Sequence, residues 1–555
     1  MNGGYVAPVD ARLAASLLLV RDGTRGLEVL MLRRAERDND VRSGAAVFPG
    51  GVLDAGDRDA HRWVTGATDA ELSARYGLAS GLLDYAVAAA RETFEEVGLL
   101  LACDDIGRAS EPRPSWPGWR QRLQHGEATL AEMCQALDLR IDLRRWACWS
   151  HWLTPPGTGK RFDTRFFMAP APIGQVAEAD GGEAVELMWL TPAEALDPAR
   201  DLKLLPVTRR TLRDLSVFSS AAEALAAAAQ QGTIPRTMPR RCVNRKGPTV
   251  VLPDDLAYAE VARLDPDGLS HDVLCEIVPG QPVQLSPRIV RVTASNAGMM
   301  TGPGTNAYFV GDPQADAWAL IDPGPDDAQH LAALRAAAPG RVRWILATHT
   351  HIDHSPGCVA AARAFGAEVL GRRPLHPQGQ DASFAPAREP VHGERLVLGP
   401  GATLRALHTP GHASNHLCWL LEEEKLLFTG DHVMNGSTVV INPPDGDMAA
   451  YLNALKALLH EDLTWFAPGH GFLVAEPHAV VRALIAHRLR REAKVVDALR
   501  PRGQATLDEL LPEVYADTPP RLHAVARRSL LAHLLKLQID GRASVAGDTW
   551  TWTAL

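Results

Sequence analysis

The chain of 555 residues has no CxxC pair, no internal repeat and no low-complexity tract beyond a few alanines. It also has no apolar run approaching the roughly 18–20 residues that span a bilayer. Each absence excludes something. The seven cysteines, Cys103, Cys134, Cys148, Cys242, Cys275, Cys358 and Cys418, are odd in number and scattered. They argue against a disulfide framework or a thiolate zinc site and fit a reducing, cytoplasmic setting. Without a long apolar run there is no candidate membrane helix, so no membrane partner is expected. The opening MNGGYVAPVDARLAASLLLV lacks a basic n-region and leads straight into RDGTRGLEVLML, so it reads as a strand rather than a signal peptide. Excess positive charge is missing too. A net charge of −9 weighs against a protein coated in nucleic acid along its length, though a local basic patch such as HRLRREAKVVDALRPR, residues 487–502, could meet phosphates. That run reads first as a solvated helix face.

What is present is ordinary for globular protein: 46% hydrophobic and 22% charged residues, at a length that argues for two to four domains. Residues 14–20 and 27–32 read as strands around a turn at Asp22-Gly23, residues 82–97 as a helix, 147–153 and 164–169 as strands, and 219–231 as an alanine-rich helix. Residues 231–285 show little period and read as the tail of a first domain, 10–230, plus a linker. A second domain, 286–489, alternates strands with helices. The last stretch, 490–555, has two helical segments and the hairpin-like ASVAGDTWTWTA, the order of a winged helix.

Two constellations carry chemistry. The first is ATHTHIDH, where the strand WILATH ends in His349, His351, Asp353 and His354. His349 and His351 are two apart and share a direction in extended backbone. Later, LHTPGHASNH carries His412, LLFTGDH carries Asp431 and WFAPGHG carries His470. Each repeats one grammar: an apolar strand, small residues, then one ligand aimed into a shared crevice. Imidazoles with a few carboxylates suit zinc, with iron and manganese as alternatives. A pair of such ions makes hydroxide available near neutral pH and polarises a C=O or P=O group.

THTHIDH, TPGH, TGDH and PGHG, in this order over about 288–487, resemble the metallo-β-lactamase superfamily. The resemblance implies an αββα sandwich and two Zn²⁺, one held by His349, His351 and His412, the other by Asp353, His354 and His470, with Asp431 bridging. Asp353 is implied in catalysis as well. The stretches NAGMMTGPGTNAYFVG and LLFTGDHVMNGSTVVINPPDGDMAAYLNAL are most similar to the branch of β-lactamase-like protein 2, which ends in a winged helix and cleaves single-stranded RNA. A thioesterase like glyoxalase II is close behind. His416 reads either as a substrate contact or as a brace.

The second constellation is FPGGVLDAGD with AAARETFEEVGLL. Glu92, Glu95 and Glu96 sit at i, i+3 and i+4, on one helix face. Alone this is a solvated acidic face or a site for a cation. Oxygen-only ligands favour Mg²⁺ or Mn²⁺. The pattern resembles the Nudix box through Gly51, Arg91, Glu92, Glu95, Glu96 and Gly98. It departs in placing Asp57 where glutamate is usual and in a long insertion between Asp57 and Arg91. That insertion, with WLTPPGTGKRFDTRFF, looks like the coenzyme A diphosphatase branch, whose upstream signature is only partly present as LRRAERDNDVRSGAAVFPGG. The resemblance implies a Nudix α/β/α sandwich, metal binding by Glu92, Glu95 and Glu96, orientation by Arg91, and a base that is Glu92, Glu183 or Glu186.

The whole chain therefore reads as an α/β and α+β multidomain hydrolase. The first half would act on a small-molecule diphosphate, a nucleoside diphosphate derivative of coenzyme A type. The second would act on RNA or a thioester. The alternative makes the Nudix half a ligand-sensing or scaffold module. The connector before residue 286 implies that a cut near 280 separates two independent activities.

Overall fold

Short apolar runs bounded by Gly, Pro and Asp become strands that are buried on both faces, as in Ala317–Ile321, Leu417–Leu421 and Leu426–Gly430. The computed structural model describes residues 8–36 and 43–553. Residues 1–7 of the N-terminal reading, and 37–42 of the stretch ahead of FPGG, lie outside the described residues.

The chain divides into two compact units. One comprises Met1–Arg241, Pro248–Pro253 and Gly268–His271, the other Cys242–Gly247, Asp254–Asp267 and Asp272–Leu555. The first is built on a mixed sheet whose strands run in the order Ala184–Leu190, Gly26–Arg34, Ala11–Gly23, Arg161–Pro170, Ala147–Leu153, Arg236–Thr237. Strand Ala11–Gly23 lies parallel to Arg161–Pro170 and antiparallel to Gly26–Arg34. The hairpin turn falls at Thr24 and Arg25, after the expected Asp22-Gly23. Asp22 is used otherwise: its carboxylate accepts from Ala221 N, 2.7 Å away, at the start of helix Ala221–Ala229. The acidic helix, Leu82–Val97, has the expected bounds because Gly81 and Gly98, both left-handed, close its two ends. Its apolar face packs on the sheet through Ala86, Ala90, Phe94 and Val97. The insertion folds as the 3-10 helix Ala55–Trp63, the short strand Val64–Thr65, the helix Asp69–Arg75 and the first turns of the acidic helix.

The second unit holds two six-stranded sheets. Leu346, Leu404, Trp419 and Phe428 fill the space between them. Helices Ala328–Ala337 and Gly357–Phe365 cover one outer face, with Leu334, Cys358 and Ala361 against Ile345. Met448–Leu458 and the long helix Pro477–Arg502 cover the other, with Tyr451, Leu455 and Val481 against Phe466. The four layers make an αββα sandwich. Helices Leu507–Val514 and His523–Ile539, with strands Gln504–Thr506, Ala543–Ala546 and Thr549–Trp552, form the winged helix.

Two segments depart from expectation. The stretch expected as tail and linker contains helix Tyr258–Leu264, which belongs to the second unit. Its Glu260 is buried and makes a two-pronged ion pair with buried Arg291, at 2.7 and 2.8 Å. Arg263 of the same helix pairs with Glu424 at 2.7 Å, so a segment this short is anchored largely by ion pairs and leaves little hydrophobic period to read. The expected boundary at 489/490 falls inside the long helix. Val481 packs on the sandwich and Val495 and Leu499 pack in the winged-helix core, so one helix serves both.

Candidate metal centres

Five strands of the second unit end at one rim, and each delivers a polar side chain there. Ala317–Ile321 leads to Asp322, Val342–Leu346 to His349 and His351, Ala402–His408 to His412, Leu426–Gly430 to Asp431, and Trp465–Pro468 to His470. The side chains gather into two groups, His349, His351 and His412, and Asp353, His354, Asp431 and His470, with the ligand atoms of each group within 4.8 Å of one another. Asp431 faces both. Its Oδ2 is 3.7 Å from His412 Nε2, and its Oδ1 is 3.4 Å from both His354 Nε2 and His470 Nε2. Asp353 Oδ2 lies 3.3 Å from His470 Nε2 and 3.5 Å from His354 Nε2. Gly469 permits this closeness: a Cβ there would come within 2.7 Å of Asp431 Oδ1 and of the His354 ring.

The far sides of four of the five rings are held, while His351 Nδ1 meets His412 Nε2 at 3.0 Å within its group. His354 Nδ1 meets Asp322 Oδ2 at 2.9 Å, and the same oxygen accepts from Thr348 Oγ1 at 2.6 Å. His349 Nδ1 meets Thr348 Oγ1 at 3.0 Å. His412 Nδ1 donates to Val440 O at 2.8 Å and His470 Nδ1 to Gly304 O at 3.1 Å. The facing atoms His349 Nε2, His354 Nε2, His470 Nε2 and Asp431 Oδ1 are buried with no hydrogen-bond partner. Buried polar atoms are almost always satisfied, and a ring fixed through one nitrogen with the other left bare is the arrangement of a metal ligand. Five imidazoles and two carboxylates fit two divalent ions. The electrostatics agree. Burial pulls His470 down, but Asp431 and Asp353 outweigh it and hold it at about 9. Burial pushes Asp353 up, and His354 and His470 reverse this, to about 2. Burial and the surrounding imidazoles hold His349 well below its ordinary value.

His416 is fully buried. Its Nδ1 lies 2.9 Å from Thr409 Oγ1, and its Nε2 accepts from Asp431 N at 3.2 Å. It braces the backbone of Asp431. Asp322 and Thr348 were missed in the sequence, although LIDPG follows the same grammar of apolar strand and polar end.

In the first unit the insertion closes on itself. Arg91 donates from Nε to Asp57 Oδ1 at 2.8 Å and from Nη2 to Asp57 Oδ2 at 3.2 Å, and also to Val52 O at 2.8 Å. Its Nη1 reaches Glu92 at 3.0 Å and Glu95 at 3.4 Å. Glu96 Oε2 accepts from Gly50 N at 2.8 Å. Among the described residues, Glu92, Glu95 and Glu96 do not close into a set as tight as the two histidine groups. Their donor set still suits a hard cation. Burial raises all three, Glu92 to about 7 and Glu96 well above its ordinary value, so their charge is poorly compensated. Gly51 leaves room beside Glu92, whose carboxyl a Cβ would meet at 2.3 Å. Arg34 links Glu183, 3.2 Å away, to Glu96, 3.9 Å away, whereas Glu186 pairs with the neighbouring Arg33 at 3.0 Å. Adjacent strand residues face opposite ways, which leaves Glu183 as the one tied to the acidic helix. Among the described residues no helix is long and apolar enough to cross a membrane.

Three family descriptions match: NUDT19 Nudix domain over residues 80–206, metallo-beta-lactamase superfamily over 300–470, and beta-lactamase associated winged helix domain over 506–552. An atrochrysone carboxyl ACP thioesterase from Aspergillus chevalieri is 32% identical over 279 residues, 47% of this chain and 84% of that protein. A beta-lactamase-like protein 2 homolog from Caenorhabditis elegans is 29% identical, covering 47% of this chain and 88% of its own length. A NUDIX hydrolase from Alicyclobacillus acidocaldarius is 27% identical with a TM-score of 0.35, covering 41% of this chain and all of that one. The chain belongs to the metallo-β-lactamase superfamily of hydrolases, with a NUDT19-type Nudix domain ahead of that domain and a β-lactamase-associated winged helix behind it.

Proposed function

We propose that the second unit hydrolyses a thioester with two Zn²⁺, and that the first hydrolyses a nucleoside diphosphate derivative with Mg²⁺ or Mn²⁺. The observation that carries the first statement is Asp431, which presents one oxygen to each group of imidazoles beside three buried imidazole nitrogens without partners. Bound there, two zinc ions supply Lewis acidity and lower the pKa of water toward neutrality. The chain's own residues do the rest. His349, His351 and His412 hold one position, and Asp353, His354 and His470 the other. Asp353 Oδ2 faces the same space and can take a proton there. A thioester is favoured over a phosphodiester by the relatives named as ACP thioesterases. The exposed side chain of Ile352, between two ligands, also gives the rim an apolar element that suits an acyl chain.

In the first unit, Arg91 would orient Glu92 and Glu95, and Glu96 would be held by the Gly50 amide. A second reading, in which this unit senses a ligand without turnover, is favoured by one observation: the three glutamates stand apart, with the Arg91 guanidinium between two of them. The test is a substrate screen on the full chain. Acyl thioesters and single-stranded RNA are offered with Zn²⁺, and a coenzyme A and nucleoside diphosphate panel with Mg²⁺ or Mn²⁺. Thioester turnover lost in Asp431→Ala supports the reading. RNA cleavage without thioesterase activity overturns the substrate, and no diphosphate turnover leaves the first unit as a sensor.

A further inference from the structure

The long helix Pro477–Arg502, which leads from the sandwich into the winged helix, buries one cation of the basic run HRLRREAKVVDALRPR. Arg488 is 4% exposed. Its Nη2 donates to Val439 O, and its guanidinium lies over the Tyr451 ring at 5.4 Å. The next carbonyl along, Val440 O, is the one that holds His412 Nδ1. Tyr451 in turn donates its hydroxyl to His432 O at 3.0 Å, one residue beyond Asp431. Its backbone also presses on Gly411, where a Cβ would come within 2.3 Å of the Tyr451 Cα. Arg488 therefore reaches the neighbours of His412 and of Asp431 at one remove, and touches neither. A buried guanidinium is costly to desolvate, and a packing role alone would be met by leucine or methionine.

We propose that Arg488 is a positioning residue for the metal position formed by His349, His351 and His412. It fixes the Val439–Val440 carbonyls, and Val440 O sets the orientation of the His412 ring. The proposal rests on the two-metal reading above. It also gives the winged-helix end of the chain a part in the site. Val439 and Ile441 pack in the same cluster as Ala532, from the winged-helix segment His523–Ile539, so the loop is held from two sides. The other metal position leans on this strut less, because its imidazoles are held elsewhere, His354 by Asp322 and His470 by Gly304 O, and only Asp431 is shared.

The test uses metal-free full-length protein titrated with Zn²⁺ against a chromophoric chelator, and with Co²⁺ followed by its visible absorption. Wild type should take up two ions, and fewer than two overturns both readings. Arg488→Met should weaken the ion at the His349, His351 and His412 position about ten- to a hundredfold and the other by a few-fold at most. Arg488→Lys, which keeps a donor for Val439 O, should weaken the same ion only a few-fold. Arg490→Met, at an exposed position of the same helix, should keep both. Unchanged affinities in Arg488→Met overturn the proposal, as does equal weakening of both ions in either Arg488 variant. If Arg488→Met fails to fold, Arg488→Lys decides by the same split.

Discussion

Asp322 decides the orientation of a ligand it does not replace. One of its oxygens takes a hydrogen bond from Thr348 Oγ1 and faces His354 Nδ1, while the other accepts from Thr348 N at 2.7 Å. Asparagine at this place keeps the volume but turns one acceptor into a donor, so His354 or Thr348 loses its partner. Such partners typically account for 10–100-fold in metal affinity. Asp322→Asn should therefore weaken the ion at the Asp353, His354 and His470 position by about that factor, and the other ion less, since Asp322 reaches His349 only through Thr348 Oγ1. Chelator competition measures it, and an unchanged pair of affinities would show that the carboxylate is dispensable. The seven side chains of the two groups were legible because each follows an apolar strand within a few residues and is of a type that could hold a metal. Asp322 obeys the same rule, but a single aspartate past a strand, with no histidine beside it, carries too little signal to stand out. The Val440 and Gly304 carbonyls could not have been read at all, since every residue has a carbonyl and only the fold selects these two.

At the scale of elements, the acidic helix was legible in full, because glycines bound it at both ends. What could not be read was how far its glutamates would stand apart once Arg91 entered between them. Its chemistry makes a signed prediction. Burial lifts Glu92 from the ordinary 4.5 to about 7. Between those values the folded state binds more protons than the unfolded one, so this group's contribution to stability is present at low pH and lost as pH rises through the window. His151, lowered by burial in the same unit, works in the opposite sense near its ordinary 6.5. The two are separated by adding Mg²⁺ and by Glu92→Gln. In a chelator, amide-exchange protection of helix Leu82–Val97 should fall from pH 5 to pH 8 less steeply in Glu92→Gln than in wild type. Mg²⁺ should protect wild type more at pH 8 than at pH 5, because the carboxylates are ionised there. Equal protection at both pH values would mean that these glutamates do not hold the ion. In the same frame, Glu95→Gln and Glu96→Gln each remove one charge from the cation's surroundings. Each should lower diphosphate turnover by about a hundredfold or more, about 2.7 kcal/mol. Wild-type rates in both would leave the helix without a catalytic part.

For the whole molecule, three folds in the right order were readable because each leaves its own local signature. Their limits were not, because the chain does not change fold where its composition changes. The Pro- and Arg-containing stretch that suggests a connector holds the helix of Glu260, and Glu260 Oε2 accepts from Leu473 N at 2.9 Å, three residues past His470. A cut near residue 280 would leave Arg291 buried without its carboxylate and free the backbone beside a metal ligand. Removing one partner of a buried ion pair costs about 3–5 kcal/mol, a large share of the roughly 5–15 kcal/mol by which a domain is stable, and the cut takes the packing of the helix with it. A fragment of residues 254–555 retains the pair and should keep its hydrolytic kcat within a few-fold of the full chain. Residues 281–555 should be insoluble, or at least a hundredfold slower with one ion missing. Glu260→Gln in the full chain checks the cause apart from the cut, since it leaves the backbone whole and removes only the charge opposite Arg291. It should lower the melting temperature of the second unit and loosen the ion at His470. If Glu260→Gln melts with wild type while residues 281–555 still fail, the helix contributes through packing and the ion pair is not what joins it to the site.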